Sequence, residues 1–279
     1  MKHFLRVTEN PSLSFMPNRD TQPVVEFSHV GVRIENTKIL SDMDFSVNKG
    51  EKWAIVGPNG SGKTTLLRMV NGYLRPSSGQ ISFQGKAADI GLDEIRKKTG
   101  FVSSSLDNLI ETEDSVLDIV VSGKYGATRL WEIPPYEVVQ KARRLMRQLG
   151  CGKFEDRRLS DLSQGERQKI LIARSMMPDP VLLTFDEPCA SLDLGAREVF
   201  LKGLGVIARR NKSLSMIYVT HRIDEIPACF DHGLLLKNGK ILASGTLGNV
   251  MVGENLSRCF GVDVVVKHWE SRIYSAVLG

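Results

Sequence analysis

One glycine-rich stretch, Gly57-Pro58-Asn59-Gly60-Ser61-Gly62-Lys63-Thr64-Thr65, combines the residue types and spacing that can hold a polyphosphate. Glycines let the backbone turn tightly enough for its N–H groups to point inward as an anion nest, which closes on the positive end of a following helix. At this spacing Lys63 reaches the β- and γ-phosphates of a nucleotide, and the Thr64 hydroxyl can ligate Mg²⁺. Two carboxylates, Asp186 and Glu187, end a separate apolar run, Val181-Leu182-Leu183-Thr184-Phe185. Acids at the end of a buried strand are costly unless they have a cation or a proton to serve. A third stretch, Leu162-Ser163-Gln164-Gly165-Glu166, sets a hydroxyl and unpaired backbone N–H groups at a helix start. By itself it reads either as a second anion site or as an ordinary capping box closed by Glu166 on Ser163.

These residues need elements to hold them. Trp53–Val56, short and apolar, predicts a buried strand before the loop, and Leu66, Leu67, Met69 and Val70 predict a helix after it. Upstream, Val24–Val30 and Asp44–Val47 read as an antiparallel pair of strands joined through the polar Glu35-Asn36-Thr37-Lys38 turn. Between Ser103 and Leu162 strand signal gives way to helix: one segment from Ser115 to about Gly123, another after Pro134-Pro135 with Val138, Ala142, Leu145 and Leu149 on one face. The alternation then resumes with a helix over Glu166–Met177, a strand over Val181–Phe185, a helix over Ala196–Arg209, a strand over Leu214–Thr220, and a hairpin at Lys237-Asn238-Gly239-Lys240. Strands alternating with helices predict an α/β fold with a mainly parallel sheet, an antiparallel β lead-in and a helical insert, and the Gly57–Thr65 motif makes that core the P-loop nucleotide-hydrolase kind. The expected organisation is a poorly ordered extension over 1–22, one domain over 23–250 with the insert at 104–162, and a short appendage over 251–279 packed on the core.

Composition narrows the classes. The chain has 279 residues and is 42% hydrophobic, enough for a full core, and no run of about 18 apolar residues is present to cross a membrane. Its net charge of +5 comes from 37 basic and 32 acidic residues without long blocks of one sign, which reads as a solvated surface. Cys151, Cys189, Cys229 and Cys259 stand far apart without metal-ligand spacing and read as core residues in a reducing cytosol. Met1–Asp20 lacks the apolar segment of a secretory signal.

From Val24 to Thr246 the chain resembles the ATP-binding cassette ATPases, whose signature motif LSGGQ or a close variant is matched by Leu162-Ser163-Gln164-Gly165-Glu166. The resemblance implies that Asp186 holds Mg²⁺ through its water shell and that Glu187 positions or deprotonates the attacking water. It also implies that Ser163 and Gly165 contact the γ-phosphate held by another subunit, so that two chains pair head to tail around two ATP molecules. Ser191-Leu192-Asp193 matches the family's interface-crossing loop, making Asp193 part of the nucleotide surroundings, and His221 matches its switch histidine.

Two positions depart from the family pattern. A glutamine that touches Mg²⁺ and the attacking water usually follows the strand read here as Gly100-Phe101-Val102-Ser103, whereas this chain has the shorter Ser104, so that either a bridging water substitutes or the coupling to the transport partner is altered. An aromatic residue usually stacks on adenine before the phosphate loop; the aligned residue here is Ile34. Thr184 is a smaller departure in an otherwise apolar strand, tolerated if its hydroxyl bonds back to the chain.

The functional expectation is an ATP-hydrolysing subunit, a homodimer or paired with a related cassette chain, bound to a membrane permease on the inner face of the cell membrane. Import is the expected direction, because Thr112–Gly123 looks like the insert of metal-chelate and vitamin-type importers. The alternative is a soluble cassette protein acting on a ribosome or on nucleic acid. Against it stand the lack of a second cassette and of a long coiled coil, so no nucleic-acid partner is expected.

Overall fold

The computed structural model describes residues 22–86, 91–103, 110, 113–269 and 272–277. Ser104 and the expected extension up to residue 21 lie outside them.

Five parallel strands and one antiparallel edge strand form the central sheet, in the order β5-β6-β7-β3-β8-β9. These are β3 (Lys52–Val56), β5 (Thr99–Ser103), β6 (Leu182–Asp186), β7 (Ser215–Thr220), β8 (His232–Lys237) and β9 (Lys240–Thr246). Every residue of β3, β6 and β7 is buried. That explains their continuous rather than alternating apolar patterns, since a strand covered on both faces has no polar side to show.

A second, antiparallel sheet has the order β2-β1-β4, built from β1 (Pro23–Ile34), β2 (Thr37–Asn48) and β4 (Ser78–Phe83). β1 and β2 are longer than the expected Val24–Val30 and Asp44–Val47. Register shifts around Val30 and positive φ angles at His29 and Asp42 interrupt the period of two, so hydrophobicity alone truncates both strands. The two sheets meet through Phe45 and Trp53, whose rings pack edge to face at 5.0 Å, within a core shared by Val25, Phe27, Leu66, Leu67 and Leu234.

On the opposite side of the central sheet lie the helices of the insert and its successor. Helix α1 (Lys63–Val70) follows β3; α2 (Leu92–Lys98) precedes β5; α3 (Val116–Ser122), α4 (Tyr136–Gln148) and α5 (Gln164–Ser175) come between β5 and β6. The face predicted from Pro135 onward is realised in α4, where Ala142 and Met146 are buried while Val138 and Leu145 pack against the same core. Helix α6 (Leu194–Arg210) joins β6 to β7 and starts at Asp193, whose side chain accepts a 2.7 Å hydrogen bond from the Ala196 N–H. Cys151, Cys189 and Cys259 are buried and Cys229 is half-buried, all as free thiols.

The last segment holds more order than its sequence pattern predicts. After α7 (Leu247–Val250) and α8 (Gly253–Phe260), β10 (Val264–Trp269) and β11 (Arg272–Val277) pair as an antiparallel ribbon. Only the β10 half reads as an apolar run, and a two-stranded ribbon with most of its surface exposed leaves little pattern in the other half.

Candidate functional site

Residues Gly57–Thr65 join the C-terminal end of β3 to α1, at the edge of the sheet where open α/β folds place ligands. Local sterics dictate the glycines. A Cβ at Gly57 would stand 2.1 Å from the Leu236 carbonyl oxygen on the neighbouring β8, and Gly62, the N-cap of α1, has φ of 105°. The β8–β9 turn clamps the loop from outside: the Gly239 N–H donates to the Ser61 carbonyl at 3.1 Å, and the Ser41 N–H of β2 donates to the Gly239 carbonyl at 2.9 Å.

A cleft of about 620 Å³ opens over this loop, lined by Asn59, Gly60, Gly62, Lys63, Thr64 and Thr65 together with Ile39, Arg68, Ser103, Asp186 and Glu187. Lys63 is 5% exposed, and its Nζ donates to the carbonyls of Gly57 at 2.9 Å and Pro58 at 3.0 Å. Those bonds hold the ammonium at the floor of the cleft, 3.7 Å from Glu187 Oε1. Among the described residues no side chain caps the N-terminus of α1, so its first-turn N–H groups remain as donors toward the cleft, and the buried Ser61 hydroxyl has no hydrogen-bond partner among them.

Asp186 ends β6 beside Ser103 of β5, and its carboxylate accepts a hydrogen bond from the Thr64 hydroxyl. Burial pushes the Asp186 carboxyl above its ordinary value and nearby Glu187 adds to the rise, against the pull of Thr64, Lys63 and Arg68. A hydroxyl and a strained-to-ionise carboxyl, both oxygen donors, form a set that suits a hard divalent cation such as Mg²⁺. The next residue, Glu187, has φ of 49°, a left-handed conformation that is sterically unfavourable outside glycine. That turn takes its carboxylate off the strand direction. Glu187 Oε1 stands 3.3 Å from Nδ1 of His221, the residue just after β7, and 3.7 Å from Lys63 Nζ.

The buried Thr184 hydroxyl is fully engaged. It accepts from Asn71 Nδ2 at 2.8 Å, and it lies 3.0 Å from Asn71 Oδ1 and 3.2 Å from the Gly100 carbonyl. A polar side chain at the sheet centre thereby ties the segment after α1 to β6 and β5.

Lys63, Thr64, Asp186, Glu187 and His221 are therefore brought together. Ser163, Gly165 and Asp193 are not among the residues lining the cleft. Ser163 takes part in a capping box: its N–H donates to Glu166 Oε2 at 2.9 Å and its hydroxyl donates to the same oxygen at 2.7 Å, which holds the Glu166 carboxyl below its usual range. Gly165 sits against α6, where a Cβ would come 3.1 Å from the Ala196 methyl. Ile34 ends β1 at 48% exposure, outside the cleft lining, and the apolar wall there is Ile39. Ile39, Arg68 and Ser103 carry no motif of their own and enter the lining only through the folding of β2, α1 and β5.

A phosphate-binding loop on a mainly parallel sheet, with paired acids at the end of β6, one strand removed from the loop's own β3, defines the P-loop nucleotide hydrolase class. Within it, this chain belongs to the ATP-binding cassette family: the family model described as ABC transporter matches residues 40–190. The chain is 37% identical over 246 residues to the ABC transporter ATP-binding protein YlmA of Bacillus subtilis, a match covering 87% of this chain and 93% of the relative. It is 30% identical to the manganese transport system ATP-binding protein MntB of the same organism, over 85% of this chain and 92% of that one. Among solved structures, cbiO1 from Clostridium perfringens, part of the ABC transporter complex cbiONQ, superposes with a TM-score of 0.73 at 27% identity, covering 85% of this chain and 94% of the other. The chain is thus an ABC ATPase subunit of a transporter.

Proposed function

We propose that the chain binds ATP with Mg²⁺ in the cleft over Gly57–Thr65, hydrolyses it within a head-to-tail dimer, and thereby drives a membrane permease that imports its substrate. The observation that carries this reading is the convergence of Lys63 and His221 on Glu187, whose Oε1 lies 3.7 Å from Lys63 Nζ and 3.3 Å from His221 Nδ1. The loop N–H groups and Lys63 bind the β- and γ-phosphates and disperse their charge. Glu187 takes the proton of the attacking water, and His221 holds that carboxylate in register while donating toward the γ-phosphate. Thr64 and Asp186 are the residues that would hold Mg²⁺, which would supply positive charge to the phosphate oxygens. Ser103 lies beside Asp186 where the family's glutamine would follow one residue later.

Ser163 and Gly165, with the first-turn N–H groups of α5, form the second phosphate contact, presented to the ATP of another chain. Asp193 at the start of α6 joins them at that interface. Head-to-tail pairing accounts for two anion-binding elements on one chain of which only one lines the cleft. Among the described residues no helix is long and apolar enough to cross a membrane, so in this reading the spans come from the permease and the chain sits peripherally on the inner face. The transport reading is favoured over a ribosomal or nucleic-acid target by the transporter context of the relatives.

Phosphate release from Mg·ATP by the purified chain tests the reading, alongside Lys63→Ala. Hydrolysis that depends on Lys63 supports it. Equal phosphate release with and without the Lys63 side chain would rule it out.

A further inference from the structure

The C-terminal ribbon is joined to the turn after His221 by a chain of charges. Its strand β11 packs against the helical turn Ile223–Glu225, with Ile273 buried in the same core as Ile223 and Ile226. Arg272 Nη1 donates to Glu198 Oε1 on α6 at 2.6 Å, and Glu198 Oε1 lies 4.0 Å from Arg197 Nε. Arg197, 12% exposed, donates through Nη1 to Asp224 Oδ2 at 2.9 Å and stands 3.9 Å from Glu225 Oε1. Glu225, 5% exposed, is also 3.4 Å from Arg222 Nε. Its other oxygen accepts from the Thr220 hydroxyl at 3.0 Å, and that hydroxyl accepts from the Arg222 N–H at 3.0 Å. Thr220 and Arg222 are the two neighbours of His221.

We propose that Arg272 is a positioning residue for His221, acting through Glu198, Arg197 and Glu225 to fix the Thr220–Glu225 segment and hence the contact of His221 with Glu187. The network balances three guanidinium groups, Arg197, Arg222 and Arg272, against three carboxylates, Glu198, Asp224 and Glu225. Arg197 and Glu225, the two most buried members, hold their places only while each charge is paired. Without Arg272, Glu198 competes with Asp224 and Glu225 for Arg197, and the bracket around His221 loosens. The sequence distance is large, yet the path is a contiguous run of ion pairs ending at the Thr220–Glu225 segment, where Arg222 also pairs with Asp224. In this arrangement the C-terminal ribbon is a part of the catalytic geometry, and anything that lifts β11 from the Ile223–Glu225 turn slows hydrolysis. The proposal rests on the reading of His221 given under Proposed function.

The test uses the full chain in single-turnover ATP hydrolysis, with Arg272→Ala and Arg272→Lys made both in the unaltered chain and in His221→Ala, and thermal melting recorded for each. Arg272→Ala is expected to lower the hydrolysis rate about fivefold with ATP affinity unchanged. Arg272→Lys, which keeps the charge, restores most of the rate. In His221→Ala, Arg272→Ala adds no further loss, as two residues acting through one contact require. A deep loss in His221→Ala together with an equal additional loss from Arg272→Ala overturns the proposal and leaves the role of His221 intact. Unchanged hydrolysis in His221→Ala instead overturns the role of His221 and the proposal with it.

Discussion

His221 Nδ1 lies 3.3 Å from Glu187 Oε1, a contact between residues that follow two adjacent parallel strands, β6 and β7. Neither residue is near the other in sequence, and their meeting is fixed by strand register: Asp186 pairs with Val219, which puts Glu187 and the His221 turn at one level. The Glu187 N–H donates to the Val219 carbonyl at 3.0 Å and holds the left-handed turn in place. If the histidine holds the base in register, His221→Ala slows hydrolysis about a hundredfold, in the range of lost acid–base positioning. ATP affinity, read by fluorescent-nucleotide titration, stays within a few-fold, since the loop and Lys63 are untouched.

Asp186 gives a stability prediction of opposite sign to its functional one. Burial raises its carboxyl, so the ionised form is destabilising at neutral pH where no cation balances it. Asp186→Asn removes that charge and is expected to raise the melting temperature of the nucleotide-free chain, by a free energy of about 1 kcal/mol. The same variant loses the Mg²⁺-dependent part of the thermal shift produced by ATP, and loses hydrolysis. A melting temperature that falls in Asp186→Asn would contradict this account of the buried carboxyl.

Thr184 and Asn71 test the packing beneath the site. Thr184→Val keeps the shape and removes the hydroxyl, leaving the buried Asn71 amide and the Gly100 carbonyl short of a partner. The expected cost is about 1–3 kcal/mol in urea unfolding. Asn71→Leu combined with Thr184→Val removes both polar groups and recovers part of that loss.

The Asp231–His232 pair gives a pH dependence. Burial alone would raise the Asp231 carboxyl, but His232 Nδ1 at 2.7 Å and the Lys52 N–H at 3.0 Å bring it below its ordinary 3.8. The same hydrogen bond raises His232 above 6.5, against the opposing effect of burial. For Asp231 the stabilisation is present above 3.8 and is lost as pH falls through its lower folded value. For His232 it is complete below 6.5 and is lost as pH rises through its higher folded value. The pair therefore stabilises most between 3.8 and 6.5 and fades on either side, through Asp231 as pH falls and through His232 as pH rises, by less than about 1 kcal/mol because Asp231 is half exposed. His232→Phe, which keeps the stack on Trp53, should flatten the stability profile between pH 6 and pH 8 in denaturant unfolding, about as far as this small term allows.

Much of the site was legible because its chemistry is written in contiguous residues. Gly57–Thr65 must be consecutive to form a nest, and Asp186 and Glu187 must follow an apolar strand to reach the sheet edge. The lining contributed by Ile39, Arg68 and Ser103 was not legible, since each is an ordinary residue brought to the cleft by tertiary packing. Ile34 shows the same limit: five residues from Ile39 along β1 and β2, it lies across a hairpin turn and faces solvent. In the fold, bulges at His29 and Asp42 hid the full length of β1 and β2, and the Arg272–Val277 strand hid because its alternate faces are both largely exposed. The capping-box reading of Ser163 and Glu166 is realised within the chain, and it leaves the α5 N-terminus as a rigid surface element.

In the proposed head-to-tail arrangement one chain holds half of a catalytic site and a second chain completes it. Glu187→Gln removes the proposed base and keeps the shape, so ATP is expected to be bound and not consumed. Gel filtration of Glu187→Gln with Mg·ATP is expected to show a stable dimer carrying two nucleotides, which reverts to monomer when Ser163→Arg is added. A Glu187→Gln chain that stays monomeric with saturating ATP and still releases phosphate at the unaltered rate would contradict both the base and the shared site.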